Sequence, residues 1–164
     1  MMTINRILVP TDFSTVADAA LEYGRTLAEH FGAGLDVLHV AEHVTAMTVG
    51  VEGYVADLAN LQGEVEKYAR MQLDERVSAL STLRQTTSVV LTSNAPARAI
   101  VEYARDHRID LIVIGTQGRG GLPRLLVGSV AERVVRTAPC PVLTVHHPER
   151  EFVLPEPAKV AAQV

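Results

Sequence analysis

The chain has 164 residues, about the size of one domain, and this length can bury a core without disulfides or metals. Hydrophobic residues make up 48% and charged residues 21%, which is typical of a globular protein and excludes a disordered or collagen-like chain. A formal net charge of -4, an aromatic content of 4% and the lack of tryptophan argue against a nucleic-acid binder. The single cysteine, Cys140, excludes an internal disulfide and a thiolate-rich metal site.

The two ends of the sequence indicate the expected location of the protein and the expected domain boundaries. The first ten residues lack the cationic and apolar regions of a signal peptide, and no apolar run approaches ~18 residues. We therefore expect a cytoplasmic protein with no membrane insertion. Residues 1–146 are expected to form a single domain, and residues 147–164, which hold three of the eight prolines, an extended tail.

Strands and helices are predicted in alternation along the chain. Short β-branched apolar runs bounded by turn residues predict five buried parallel strands: Ile7–Val9, Leu35–Val40, Val89–Leu91, Leu111–Ile114 and Val142–Val145. Between them the apolar spacing becomes helical, with stripes from Ala17 to Phe31, Leu58 to Leu80, Ala97 to Ala104 and Val130 to Val135. Ser14 is the predicted N-cap of the first helix, and Ser129–Glu132 matches a capping box for the last.

This alternation predicts an α/β fold built on an open, doubly wound, five-stranded parallel sheet. The simplest Rossmann-like wiring has the strand order 3-2-1-4-5, with the first and fourth strands side by side at a topological switch point. Ligands in such sheets bind beyond the carboxyl ends of those strands. Residues 41–56, with Gly50 and Gly53, are predicted to form a loop or lid.

A glycine-rich segment follows the fourth predicted strand. Five of the eleven glycines lie between Gly115 and Gly128, and Arg119 and Arg124 add positive charge. Because the segment ends at a helix start, where free amides and the helix dipole favour an anion, we predict a phosphate-bearing ligand. A surface loop whose glycines only make turns is the alternative. A Walker A loop is excluded because the residue directly before Ser129 is Gly128 and not a lysine. A dinucleotide fingerprint is excluded because the first predicted turn lacks the required glycines.

Asp12 lies in the turn after the first predicted strand and is expected to face the glycine-rich segment. Since a carboxylate repels phosphates, Asp12 would either hold Mg²⁺ or hydrogen-bond a neutral part of the ligand such as a ribose or base. Its alternative role is to cap the following helix. A receiver domain is a poor match, because residues 91–94 lack the aspartate that such a domain phosphorylates.

Five segments together resemble the universal stress protein family over about residues 3–146. The most specific is Gly115-x2-Gly118-x9-Gly128-Ser129, which matches that family's nucleotide-binding pattern. The other four are Pro10–Ser14, Leu38–Val40, Asp110–Gly115 and Pro139–Val145. The resemblance implies that ATP, or another adenine nucleotide, binds in the crevice, with Mg²⁺ held mainly through the phosphates.

The resemblance also implies a part for each site residue. Asp12 would sit near the ribose and base, the Val40 backbone would meet adenine, and Gly115 and Gly118 would line the ribose and phosphates. Gly128, Ser129 and Val130 would donate to the phosphate tail. The candidate nucleotide-binding residues are Pro10, Thr11, Asp12, Val40, Ile114, Gly115, Gly118, Arg119, Gly128, Ser129 and Val130.

The implied function is that of an ATP-binding universal stress protein, a nucleotide-dependent regulatory or stress-response module. The family resemblance implies a homodimer that pairs the edge strand Val142–Val145, with a regulatory protein or transporter as partner. A slow ATPase or nucleotidyl transferase remains open, although no residue is evidently placed to orient a nucleophile, so no catalytic residue is assigned. An interaction protein or transporter accessory with an unoccupied site is a further alternative.

Three other residues were weighed as ligands or nucleophiles. His39 is predicted to be a hydrogen-bonded core histidine, and His146 to lie at a solvated strand end. Cys140, between two prolines, is predicted to be at least partly buried and has no neighbour that would make it a reactive thiolate.

Overall fold

The computed structural model of the protein describes residues 3–44, 55–80, 83, 85–116 and 128–146, and for residues 55–59 only the backbone. The strands in these ranges are β1 (Arg6–Thr11), β2 (Gly34–Ala41), β3 (Thr86–Thr92), β4 (Leu111–Gly115) and β5 (Val142–Val145). The helices are α1 (Thr15–Phe31), α2 (Val55–Ser78), α3 (Pro96–Asp106) and α4 (Ser129–Thr137). Every predicted strand and helix is present. Residues 45–54 and 147–164 lie outside the described residues, so the lid and the tail stay predictions.

The strands form one parallel sheet in the order β3-β2-β1-β4-β5, which confirms the predicted topology. Helices α1 and α2 pack on one face, and α3 and α4 pack on the other. Because the central strands are covered on both faces, the consecutive β1 residues Ile7, Leu8 and Val9 are all apolar, and each is 0% exposed.

Helix α1 lies close against the sheet. Ser14 is its N-cap, and the Ser14 hydroxyl accepts a hydrogen bond from the Ala17 amide at 3.2 Å, as predicted. The helix ends at Gly32, which adopts a left-handed conformation with φ 65°. A Cβ atom at Gly24 would collide with the side chain of Val9 on β1. Glycine at that position therefore sets how closely α1 can approach β1.

The start of α4 differs from the prediction. The N-cap is Gly128, which has φ -68° and ψ 152° and no side-chain cap, so the predicted capping box over Ser129–Glu132 is wrong. The Glu132 amide donates to the Gly128 carbonyl at 2.9 Å, which makes Ser129 the first helical residue. The reason is a tertiary contact, since the Gly128 amide bonds the carbonyl of Thr116, directly after β4.

The buried face of α2 also differs from the predicted stripe. Its buried residues in the described part are Ala69 and Leu73, followed by Leu80 just beyond the helix. Members of the predicted stripes that are 37% to 58% exposed are Phe31, Leu61, Val65, Tyr68 and Val135. In α2 the reason is that polar residues turn toward the sheet. Gln62 Oε1 accepts from the Val44 amide at 2.8 Å, and Glu66 Oε1 accepts from Thr92 Oγ1 at 2.7 Å.

A buried ion pair lies at the amino-terminal edge of the sheet. The Arg6 guanidinium donates to both carboxylate oxygens of Asp36, at 2.9 and 3.1 Å, and Asp36 is 1% exposed. The Tyr103 hydroxyl donates to the same carboxylate at 3.0 Å. Burial, followed by the negative charge of Asp36, raises the pKa of Tyr103 to about 12. The carboxylate is therefore fully engaged by groups of the protein itself.

Candidate functional site

The carboxyl end of β1 lies beside the last residues of β2, which extends two residues further along the sheet. Thr11, the last residue of β1, is in register with His39 of β2. The candidate residues Asp12 and Val40 therefore each come one residue later, on neighbouring strands and at the same edge of the sheet. Val40 is half-buried and packs against the core on the α3 and α4 face.

The carboxyl end of β4 meets the same edge. The pairing of β1 with β4 sets Ile7 opposite Leu111, and continuing this parallel register brings Thr11 level with Gly115. Residues that follow these two strands, Asp12 and Thr116, therefore flank the switch point predicted from the sequence.

The turn after β1 is shaped by its own side chains. Thr11 Oγ1 accepts from the Phe13 amide at 3.0 Å, and Asp12 Oδ1 accepts from the Ser14 amide at 3.0 Å. Phe13 adopts φ 65°, a left-handed conformation that residues with a Cβ rarely take. Since Ser14 and not Asp12 caps α1, the half-buried Asp12 carboxylate shapes this turn instead of the helix end.

Thr116 joins β4, β5 and the start of α4. Its amide donates to the Val145 carbonyl at 2.9 Å, and its carbonyl accepts from the Gly128 amide. Its hydroxyl, in a residue that is 1% exposed, lies 3.2 Å from the Val145 carbonyl oxygen and 2.7 Å from His146 Nδ1. Thr116 and Gly128, the described residues on either side of positions 117–127, are therefore joined by a backbone hydrogen bond. Gly118 and Arg119 belong to that segment and lie outside the described residues.

The amino terminus of α4 provides backbone donors at this point. The first hydrogen bond inside the helix runs from the Glu132 amide to the Gly128 carbonyl. The amides of Ser129, Val130 and Ala131 therefore precede the helix ladder, and Ser129 is exposed. Three amides at the positive end of a helix dipole form an arrangement that can bind a phosphate or another anion.

The Universal stress protein family model matches residues 3–146 of the chain. The chain belongs to the universal stress protein family. Universal stress protein MJ0531 of Methanocaldococcus jannaschii is 34% identical over 146 residues, which cover 89% of this chain and 84% of that protein. The structure of universal stress protein UspA from Lactobacillus plantarum is 28% identical, with a TM-score of 0.75, over 88% of this chain and 99% of that one. A universal stress protein crystallised in complex with cAMP is 25% identical, with a TM-score of 0.65, over 88% and 99% of the two chains.

In this universal stress protein, Gly115 has a packing role. A Cβ atom there would lie 2.9 Å from Val16 Cγ1 and 3.1 Å from the Val16 carbonyl carbon and oxygen. The 2.9 Å distance is shorter than real Cβ contacts and the 3.1 Å distances are tighter than most, so glycine at position 115 allows the first turn of α1 to approach β4 this closely.

The structure brings nine of the eleven candidate residues to one edge of the sheet. Pro10, Thr11 and Ile114 are buried near the carboxyl ends of β1 and β4. Asp12, Val40 and Gly115 lie at the level of that edge, as the strand register requires. The three residues at the start of α4 are Gly128, Ser129 and Val130.

Three predictions outside the site also hold. His39 is half-buried, and its Nδ1 lies 2.8 Å from the Thr11 carbonyl, which confirms a hydrogen-bonded histidine. Cys140 is half-buried, and burial raises the pKa of its thiol, so it is no better a nucleophile than an ordinary cysteine. His146 is exposed, as predicted, although its contact with the Thr116 hydroxyl was not foreseen.

Sequence reasoning missed Thr116 and Arg76. The guanidinium of Arg76, on α2, lies 5.0 Å from the centre of the Phe13 ring, and Nη2 lies 3.5 Å from the Phe13 carbonyl oxygen. No local pattern links two residues 63 positions apart. For Thr116 a signal existed, because it comes two residues after Ile114, the last residue of a predicted strand at the switch point.

The described residues contain neither a cluster of metal-ligating side chains nor a membrane-spanning helix. No group of three His, Cys, Asp or Glu side chains in this part of the chain is arranged to hold a metal ion. None of the helices in the described ranges is both long enough and apolar enough to cross a membrane.

Proposed function

We propose that this universal stress protein binds ATP, or another adenine nucleotide, in the crevice between the carboxyl ends of β1 and β4. The observation that carries the proposal is the amino terminus of α4. Its three leading amides are fixed beside β4 by the hydrogen bond between Gly128 and Thr116. A phosphate chain bound to these amides would sit at the positive end of the helix dipole, next to the strand ends.

The nucleoside half of the ligand would occupy the β1 and β2 side of the same edge. Asp12 supplies a carboxylate that can accept a hydrogen bond from a ribose hydroxyl, and Val40 supplies a half-buried apolar surface and backbone groups for the base. The complex of a related universal stress protein with cAMP supports an adenine nucleotide as the ligand class. Gly118 and Arg119 would complete the phosphate side.

Magnesium would enter with the nucleotide. Since the described residues offer no cluster of metal ligands, we propose that the phosphate oxygens supply most of its coordination. Among the candidate residues, Asp12 is the carboxylate at the strand edge, and it remains a candidate to bind a water of the hydrated ion.

The biological role we propose is regulatory. We assign no residue at the described strand ends as a general base that orients a nucleophile, so we expect bound ATP to act as a signal without efficient turnover. Residues 1–146 would form the nucleotide-binding domain, with residues 41–56 as a lid and residues 147–164 as a tail. A cytoplasmic location is consistent with a sequence that contains a single cysteine, Cys140, and so forms no internal disulfide. The response to nucleotide would reach a regulatory protein or a transporter.

A homodimer is part of this proposal. Strand β5 is the last in the sheet order, so one of its edges has no partner strand within the described chain. Its residue Leu143 is 38% exposed, and pairing of β5 with a second copy would cover both the edge and this side chain. Sedimentation of the wild type and of Leu143→Arg should give a dimer and a smaller species, and two identical results would contradict this interface.

The decisive experiment is to purify the protein without added nucleotide, denature it and chromatograph the released small molecules. Near-stoichiometric ATP would support a tight site with little hydrolysis. Mostly ADP or AMP would favour the slow ATPase. If nothing is released, titration with ATP and Mg²⁺ follows, and the absence of binding there would overturn the proposed function.

A further inference from the structure

We infer that His39 and Arg76 are positioning residues that hold the Asp12 carboxylate in its binding orientation before any ligand arrives. The inference rests on the proposed nucleotide site, and it adds two residues that are not among the eleven candidate nucleotide-binding residues. It begins with the conformation of Phe13, whose φ of 65° lies in a region that side chains with a Cβ sparsely populate. Such a conformation persists only where neighbouring groups enforce it.

His39 contacts the turn from the sheet side. A carbonyl oxygen can only accept, so His39 Nδ1 carries the proton in its 2.8 Å contact with the Thr11 carbonyl. The imidazole also stacks on the Phe13 ring, with the ring centres 4.3 Å apart and the planes 25° from parallel. One side chain therefore contacts both residues that flank Asp12.

Arg76 contacts the turn from the helix side. Its guanidinium lies over the Phe13 ring at 5.0 Å, a cation–π geometry, and its Nη2 donates to the Phe13 carbonyl at 3.5 Å. The Asp18 carboxylate accepts from Arg76 Nε at 2.7 Å and from Nη2 at 3.3 Å. This ion pair fixes the guanidinium, so α1 and α2 together orient the group that covers Phe13.

The two contacts are complementary in position. His39 holds the carbonyl of the residue before Asp12, and Arg76 holds the carbonyl of the residue after it. The Thr11–Asp12 peptide group and the Phe13–Ser14 peptide group, one before and one after Asp12, are thereby restrained by side chains from β2 and α2. Restraint of this kind lowers the entropy that a ligand must remove on binding, which raises affinity without any new contact.

A purely electrostatic role for Arg76 gives a different expectation. If Arg76 acted through its positive charge, Arg76→Lys would restore binding, and the loss in an Arg76→Met variant would grow from AMP to ATP. If Arg76 acts by holding the turn, Arg76→Lys should restore little of the nucleotide affinity, because lysine lacks the planar guanidinium that covers the Phe13 ring. The loss would then be the same factor for AMP and ATP.

The test is calorimetric titration of the full chain with ATP and with AMP. Arg76→Met and His39→Phe, which keeps the ring but removes the donor, should each bind about tenfold more weakly, or about 1.4 kcal/mol. His39→Asn, which can still present an N–H, should recover part of the loss. Arg98→Met is the matched control, since Arg98 is a surface arginine paired with Glu102 on α3, and its affinity should equal that of the wild type.

A double-mutant cycle separates positioning from general damage to the fold. In an Asp12→Ala background, Arg76→Met should cause no further loss, because the side chain that it positions is absent. Wild-type affinity in both single variants, or the same loss with and without Asp12, would overturn the inference while leaving the proposed function intact. If the wild type binds no adenine nucleotide, the proposed function fails and the positioning role fails with it.

Discussion

The two edges of the sheet differ in whether their polar groups are hydrogen-bonded within the described structure. At the amino-terminal edge, the buried Asp36 carboxylate accepts hydrogen bonds from Arg6 and Tyr103, so its charge is neutralised inside the protein. At the carboxyl edge, the leading amides of α4 precede the helix ladder, and Ser129 is exposed. One edge of this sheet therefore satisfies its buried polar groups internally, whereas the other leaves backbone donors outside the helix ladder.

The largest expected effect is at the amino-terminal edge. Asp36→Ala leaves the Arg6 guanidinium and the Tyr103 hydroxyl without their shared acceptor. Because the Arg6 side chain is 35% exposed and can reach water, we expect a loss near the lower end for buried pairs, about 3 kcal/mol of unfolding free energy. Urea denaturation measures it. Asp18→Ala, which breaks a surface pair, should lose less than about 1 kcal/mol, and equal losses would contradict the contrast between the two pairs.

Ser129→Pro tests the carboxyl edge alone. Proline is favoured at the first helical position, and Gly128 already has the extended conformation that a residue before proline requires, so α4 should keep its stability. One amide donor to phosphate is lost, which should weaken ATP binding by about 1.5 kcal/mol or more. Ser129→Ala keeps the amide and should lose less. Unchanged ATP affinity in the proline variant would exclude this amide as a phosphate ligand.

Gly115→Ala tests the packing beneath the site. The added Cβ would press on the Val16 side chain and backbone, so the first turn of α1 must shift. Overpacking of this kind lowers stability by about 1–3 kcal/mol. Thermal unfolding measures the loss, and Val16→Ala in the same chain should recover only the part that comes from the Val16 side chain. A variant as stable as the wild type would mean that α1 is free to move away from β4.

The smallest expected effect concerns Tyr103 and pH. Its pKa is raised from 10.0 to about 12 in the folded chain, so unfolded chains lose this proton first. The stabilisation that the Tyr103 hydroxyl gives the folded chain is therefore fully present below pH 10 and falls as the pH rises toward 12. Tyr103→Phe should be less stable than the wild type by about 1 kcal/mol at neutral pH. The difference between the two proteins should shrink above pH 10, and a difference that stays constant would contradict the shifted pKa.

Local sequence patterns predicted most of the strands and helix ends that surround the candidate site. Apolar runs located β1 and β4, their alternation with helices predicted the strand order, and Ser14 was recognised as a cap from its place before a helical stripe. These features depend on neighbours in sequence, which periodicity and capping preferences describe well. The same reasoning brought Asp12 and Gly115 to one edge of the sheet.

The remaining features depend on contacts between distant residues. Tyr103 and Asp36 are 67 positions apart, and nothing in the pattern around either one names the other. The buried face of α2 was misjudged because Gln62 and Glu66 resemble solvent-facing residues until their partners on the sheet side are known. The start of α4 was misplaced by one residue because the tie to Thr116, and not a side-chain cap, determines it.

The hydrogen bond between Thr116 and Gly128 has a consequence for how such a site can diverge. Because both ends of the intervening segment are held by backbone contacts, its length is decoupled from the position of α4. Doubling the length of a closed segment lowers stability by only about 0.6 kcal/mol. Insertions, deletions or exchanged sequences between these two residues can therefore be accommodated while the strand ends and the helix start keep their geometry.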